Sequence, residues 1–336
     1  MAEHTVDGDG NWVFDVKTAQ ELKEAFETNT DDNVPIIINI LNNINYNQSP
    51  YYKWMSHFLY PNSYNKIDIT INGNGHTLSN IYVYPGYSFI CIPATYANTA
   101  RIVKINDLTF EIITNSGRVL NYEGYGAEFH LENCIFNVRA YDIPANGIFN
   151  LMVFDHEFIN CVFNILLSSL STNNKTIFME PNTGSNKGSL YEACIFKIRN
   201  STQYTIIVIS TQMYTTIDNS AFFYNDVGLA QPDYNNNLHY ILSNTDNRNS
   251  FINSYIASFD YYPAMSIRPR IGLNTAAFKN SGGLASSFYD VTKLNMSVYA
   301  GGTYTAKPPY FNACTTAQCK DSAYLSSIGY VFCEEA

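Results

Sequence analysis

The residue types needed for acid–base chemistry gather in one place once the sequence is aligned with itself. Setting Cys134 against Cys161 lays Glu128 beside Asp155 and His130 beside Glu157. Alternation from Phe129 and Cys134, both expected to point inward, sends Glu128 and His130 outward. Carboxylates and an imidazole on one face are what glycan hydrolysis or elimination needs, and the same groups suit a divalent cation. No Arg or Lys is found in register with them, so the cationic partner of lyase chemistry is missing. Four solvated groups on adjacent repeats are expected to bind rather than to turn a substrate over.

Two other groups of side chains invite a chemical reading. Cys314, Cys319 and Cys333 offer three thiols, but no Cys-x2-Cys pair and no fourth ligand accompany them, so a disulfide or free thiols is the expectation and no metal is assigned. Trp54, Tyr122, Tyr125, Tyr141, Tyr204, Tyr261 and Tyr262 fall at turns or outward positions, where aromatic faces suit sugar rings and protein interfaces alike. Gly73 and Gly75 flank Asn74 between two strand-like runs, which is tight-turn chemistry rather than a phosphate cradle. No cofactor is implied.

A six-residue phrase must position all of these. It occurs at residues 105–110 (INDLTF), 131–136 (LENCIF), 158–163 (FINCVF), 191–196 (YEACIF), 217–222 (IDNSAF) and 251–256 (FINSYI). Successive copies lie 26, 27, 33, 26 and 34 residues apart. The first column is large and apolar, and the third is Asp107, Asn133, Asn160, Ala193, Asn219 and Asn253. The fourth is Leu108, three Cys and two Ser, and the sixth is Phe until Ile256. Between copies lie short β-rich runs and Asn/Ser/Gly clusters, without the i, i+3, i+4 spacing of helical repeats. About 26 residues at roughly 3.3 Å each make one coil of three short strands, and such coils gain a core only by stacking. Asn tolerates the left-handed conformation and its amide can bond the next coil; Cys and Ser fit the inside of the bend; Phe fills the centre.

With those columns, and with residues 69–78 (ITINGNGHTL) as an early coil, the sequence resembles the pectin-lyase-like right-handed parallel β-helix superfamily over roughly residues 35–290. The resemblance implies an all-β, single-stranded solenoid of about eight or nine coils. It leaves function open, because this fold carries lyases, hydrolases, adhesins and virion appendages.

Bulk properties narrow the choice. Only 14% of the 336 residues are charged, against about a quarter in most domains, while 27 are Tyr. The net charge of −10 disfavours nucleic acid and anionic membranes as partners. No apolar run has the length of a membrane span. The first ten residues lack the basic and apolar regions of a signal peptide, so synthesis in a host cytoplasm is expected, with the Cys column as reduced core thiols.

In chain order, residues 1–34 should form a short strand and a capping helix opened by a Thr18–Glu21 capping box, with Leu22, Ala25 and Phe26 on one face. Coils follow over 35–290, with 41–66 as a surface excursion. Residues 291–336 should form an irregular C-terminal segment, with residues 323–332 as a separate cap or docking strand. In composition the chain looks like phage tail-spike, fibre or head-appendage proteins. That likeness implies a structural or adhesive virion component that docks to other virion proteins, takes a host surface polysaccharide, and assembles as a homotrimer. The alternatives are a polysaccharide lyase or glycoside hydrolase, and a bacterial surface adhesin.

Overall fold

A computed structural model describes residues 3–28, 34–48, 57–59, 68–93, 101–123, 127–151, 155–170, 175–179, 188–201, 206–210, 215–226, 239–243, 250–252, 254–257, 270–274, 287–290, 295–300, 303–305 and 311–327. The chain winds as a parallel β-solenoid of three ten-stranded sheets. Eight successive coils, the first opening at Ile36–Ile40 and the last closing at Arg270–Asn274, each give one strand to each sheet. The repeated phrase is the corner between the first and second sheets. Its first column ends a strand of the first sheet, and its Phe begins a strand of the second.

The corner works through backbone conformation. Asp107, Asn133, Asn160, Ala193 and Asn219 all have φ between 46° and 55°, the left-handed region. Each of the first four donates its N–H to a carbonyl one coil along: Glu132, Ile159, Glu192 and Asp218 in turn. The expected amide ladder is found at one link, Asn133 Nδ2 to Asp107 Oδ1 at 3.0 Å. The column is therefore selected by φ and tied by main chain, which is why Ala193 can occupy it.

The next residue points inward. Cys134 and Cys161 direct their thiols at carbonyls of their own coil and of the preceding one. Cys194 N–H donates to Ser220 Oγ at 3.0 Å, Ser220 N–H to Ser254 Oγ at 3.2 Å, and Ser254 N–H to Ser287 Oγ at 3.3 Å. Ser287 thus extends the column beyond its six sequence copies. Hydrogen bonding with Cys161, and then burial, push the Cys134 thiol far above the ordinary thiol range.

The Phe column fills the centre. Phe110, Phe136, Phe163, Phe196 and Phe222 stack in sequence with centroids 4.6, 5.3, 5.0 and 4.2 Å apart and planes within 17°. A second stack, Phe149 on Phe178 at 4.4 Å, meets Phe163 edge-on from the third sheet. Gly73 lets coils approach here, since a Cβ there would lie 2.4 Å from the Asp107 carbonyl oxygen.

The ends differ from expectation in three places. Trp12–Val16 pairs in parallel with Ile36–Ile40, so the first sheet begins before the coils. Helix α1 (Ala19–Phe26) lies in that crossover; its Thr18–Glu21 capping box is formed, and Leu22, Ala25 and Phe26 are buried. Residues 41–66 are not a mere excursion: Ile44–Asn45 and His57–Leu59 join the second and third sheets, with Ile44, Tyr46 and Leu59 buried. At the C-terminal end, residues 322–327 are helical, which departs from the docking strand and not from the cap. Asp321 Oδ1 accepts from the N–H groups of Ala323 and Tyr324 at 3.0 and 3.1 Å, which nucleates a helix. Asn295–Ala300 and Phe311–Cys314 add parallel strands to the third and second sheets.

Two substitutions check this core. Phe163→Ala should cost about 3–5 kcal/mol in a denaturant titration, as a core truncation inside a continuous stack; a loss below about 1 kcal/mol would contradict the stacking. Ala193→Asn should stabilise the fold by about 0.5–1 kcal/mol, because Asn tolerates positive φ better than Ala does.

Candidate functional site

The first sheet positions the acid–imidazole cluster through its register. Strand Ala127–Glu132 lies between Arg101–Asn106 and Glu157–Ile159, so His130 is paired with Lys104 on one side and Glu157 on the other. Phe129 and Leu131 face inward and are buried, which turns Glu128, His130 and Glu132 outward. His130 Nδ1 lies 3.2 Å from Glu157 Oε2, and its Nε2 lies 3.5 Å from Glu128 Oε2. Three of the four expected residues therefore meet.

The setting departs from the expectation in three ways. The His130 and Glu128 side chains are only 22% and 15% exposed, so the cluster is less solvated than a bare outer face. Asp155 is not among the His130 contacts; its Oδ1 accepts from Gly188 N–H at 2.7 Å. Lys104 stands in register with His130, so a cation does flank the cluster; it was missed because the strand carrying it precedes a phrase whose fourth residue is Leu108 and not Cys.

The geometry restricts the chemistry. Glu128 and Glu157 approach different nitrogens of one ring, so they do not converge on a common point where a cation could sit. Glycoside cleavage needs open space of about 5–9 Å between two carboxylates for a sugar or water. Here the imidazole occupies that space. The His130 ring contacts Glu128 of its own strand and Glu157 of the next coil.

Beneath the cluster, sequence reasoning missed His156. It is buried, its Nδ1 accepting from Phe129 N–H at 3.0 Å and its Nε2 lying 3.1 Å from the Leu151 carbonyl oxygen. That pairing fixes a neutral ring protonated at Nε2. The imidazole stands in for a ladder partner just before the strand Glu157–Ile159 begins. Only an apolar register flanking a polar residue could have marked it.

The other candidates separate. Tyr141 is exposed at a turn, 41% accessible. Tyr122 lies in strand Arg118–Glu123, with its side chain outside what is described. Trp54, Tyr125, Tyr204, Tyr261 and Tyr262 lie outside the described residues, as does Cys333. Cys314 is buried, its Sγ 3.9 Å from Tyr324 Oη. Thr315 and Gln318 form a capping box that starts the helix Thr316–Cys319, a signature present in the sequence and passed over. Among the described residues no three His, Cys, Asp or Glu side chains are grouped to hold a metal.

A second feature is an open depression of about 500 Å³ on the second sheet, where Asn80, Glu111, Asn137, Arg139, Asn164 and Leu166 line its floor and rim. Asn164 Nδ2 donates to Asn137 Oδ1 at 2.8 Å across it. Extending the repeat alignment three to five positions past the Cys column would have found these side chains.

Burial holds the His156 pKa down at about 3, against about 6.5 for a free imidazole. A group whose folded pKa is depressed in this way leaves stability whole above about pH 6.5 and removes it as pH falls toward 3, because only the unfolded chain takes the proton. The full effect is of the order of 5 kcal/mol. Stability measured against pH should therefore fall more steeply for the natural chain than for His156→Gln, which keeps an acceptor for Phe129 and a donor for Leu151; equal slopes would remove the assignment.

No family model, curated protein or solved structure matches the chain, so its β-solenoid class rests on the strand pairing itself.

Proposed function

We propose that the protein is a structural or adhesive virion component, a tail spike, fibre or head appendage, that binds a host surface glycan and does not cut it. The right-handed sense of the coil and pectin-lyase-like kinship belong to the same reading. One observation carries it: outward polar side chains form ladders that run from coil to coil and do not converge on a reaction centre. Asn39 donates to Asp15, Asn72 to Asn39 and Asn106 to Asn72, at 2.9, 3.0 and 3.3 Å, along the first sheet. Asn164 and Asn137 do the same in the depression of the second. Repeating amides at a fixed spacing suit a repeating polymer, and the aromatic Tyr141 and the sparsely charged surface suit sugar rings.

One observation favours the enzyme instead. Lys104, His130 and two carboxylates on neighbouring strands supply a cation, a base and an acid within one patch. The two readings part on turnover. Incubation with a panel of bacterial capsular and cell-wall polysaccharides should yield no new reducing ends and no unsaturated uronate absorbance, while acidic or neutral glycans on an array retain the protein. Turnover that vanishes in a Glu128→Gln, Glu157→Gln double variant would establish the enzyme. Antibodies against the chain should label intact particles, and a particle fraction without label would remove the virion assignment.

A further inference from the structure

The outward face of the second sheet departs in charge from the rest of the molecule. The chain carries −10 overall. Yet from strand Thr77–Val83 to strand Ile195–Asn200 this face bears Arg139, Lys197 and Arg199 against a single carboxylate, Glu111. Arg139 and Arg199 are exposed, and Arg139 forms no ion pair among the described residues.

The face also has a rhythm. The strand register sets Tyr82, Ile113, Arg139, Leu166 and Arg199 in one column, one residue from each successive coil. Aromatic or cationic side chains thus alternate with aliphatic ones. The neighbouring column keeps the same beat, with Glu111 and Asn164 on the aliphatic levels and Lys197 on the level of Arg199. Tyr141, two residues past Arg139 and exposed, adds a ring on a cationic level. All three cations therefore stand on one set of alternate coils, and the carboxylate stands on the other set. The depression described above runs through the first four of these levels, from Asn80 to Leu166.

Two coils at the strand spacing amount to about 10 Å, the length of an extended disaccharide. We propose that this face binds a polysaccharide laid along the solenoid axis, in which an acidic sugar alternates with a neutral one and the carboxylates sit at Arg139 and Arg199. The inference rests on the glycan-binding part of the function proposed above and not on its virion part. A guanidinium takes a carboxylate through two parallel N–H···O bonds. Lys197 adds a second cation at the Arg199 level, and the Tyr141 ring gives the acidic sugar beside Arg139 an apolar face to lie on. On the alternate levels Ile113 and Leu166 meet the carbon face of a neutral sugar, while Glu111 accepts from its hydroxyls. A polymer with a carboxylate on every sugar fits badly. Every second charge would lie over Leu166 without a cation, or beside Glu111 against a like charge.

Calorimetric titration of the full chain with oligosaccharides of matched length tests the proposal. Hyaluronan, chondroitin and heparosan, all unsulfated, alternate a uronate with a neutral N-acetylated sugar in different linkages. Oligogalacturonate carries a carboxylate on every sugar, and dextran carries none. At least one alternating oligosaccharide should bind about tenfold or more tightly than oligogalacturonate or dextran, and added salt should weaken it. Arg139→Gln and Arg199→Gln should each weaken that binding about tenfold, with circular dichroism checking that the variants are folded. Lys17→Gln, which removes an exposed cation outside this face, should leave it unchanged. Leu166→Arg puts a cation on a neutral level and should narrow the preference over oligogalacturonate. Oligogalacturonate or dextran binding as tightly as the alternating polymers overturns the proposal while the glycan-binding reading stands. Binding indifferent to both arginine changes does the same. Failure of all five to bind removes both.

Discussion

Everything in this fold depends on how a coil turns its first corner in two residues. The first of the pair must enter the left-handed region while its N–H continues the ladder to the next coil. The second turns its side chain into a dry interior while its own N–H also points along the axis. Asn and Asp meet the first demand. Ser and Cys meet the second, because they are small, accept an N–H from the previous coil, and donate to a carbonyl. Ser220 does all of this at once, accepting from Cys194 N–H and directing its hydroxyl at the Tyr191 and Asp218 carbonyls. With the corner fixed, the Phe two residues later lands at the same point of every cross-section, and the ring stack follows.

The same constraint shapes the surface. Once columns are locked inside, alternation locks columns outside, so any outward group has coil neighbours at the strand spacing above and below. That favours ladders over pockets. The His130 cluster illustrates it: the ring fills the space between Glu128 on its own strand and Glu157 on the next coil, where an enzyme would keep a gap.

Much of this was legible in the sequence because the corner writes itself into four columns. The phrase placed the corner, the inward Cys and Phe, and the outward Glu128, His130 and Glu157. Thr18 and Glu21 announced helix α1. What escaped lies where no corner phrase marks the register. Ile44 and Leu59 are core residues set among Asn, Tyr and Pro, with no repeat to align them. Lys104 belongs to a strand whose corner carries Leu108, so the alignment built on Cys never reached it. His156 is polar by type and core by position, and composition argues against the place that its two hydrogen bonds give it.

The stacked corner also decides how the molecule bears load. Among the described residues each coil is hydrogen-bonded to its neighbours along three sheets, so tension applied between the chain ends acts first on the outermost coil. The protein should then yield as a spool does, one winding at a time, from its ends inward. Windings of 26 to 34 residues, at roughly 3.5 Å of extended chain per residue, would come free in lengths of about 90–120 Å. Force across the axis meets all the windings together. A rod built this way is stiff sideways and unravels lengthwise.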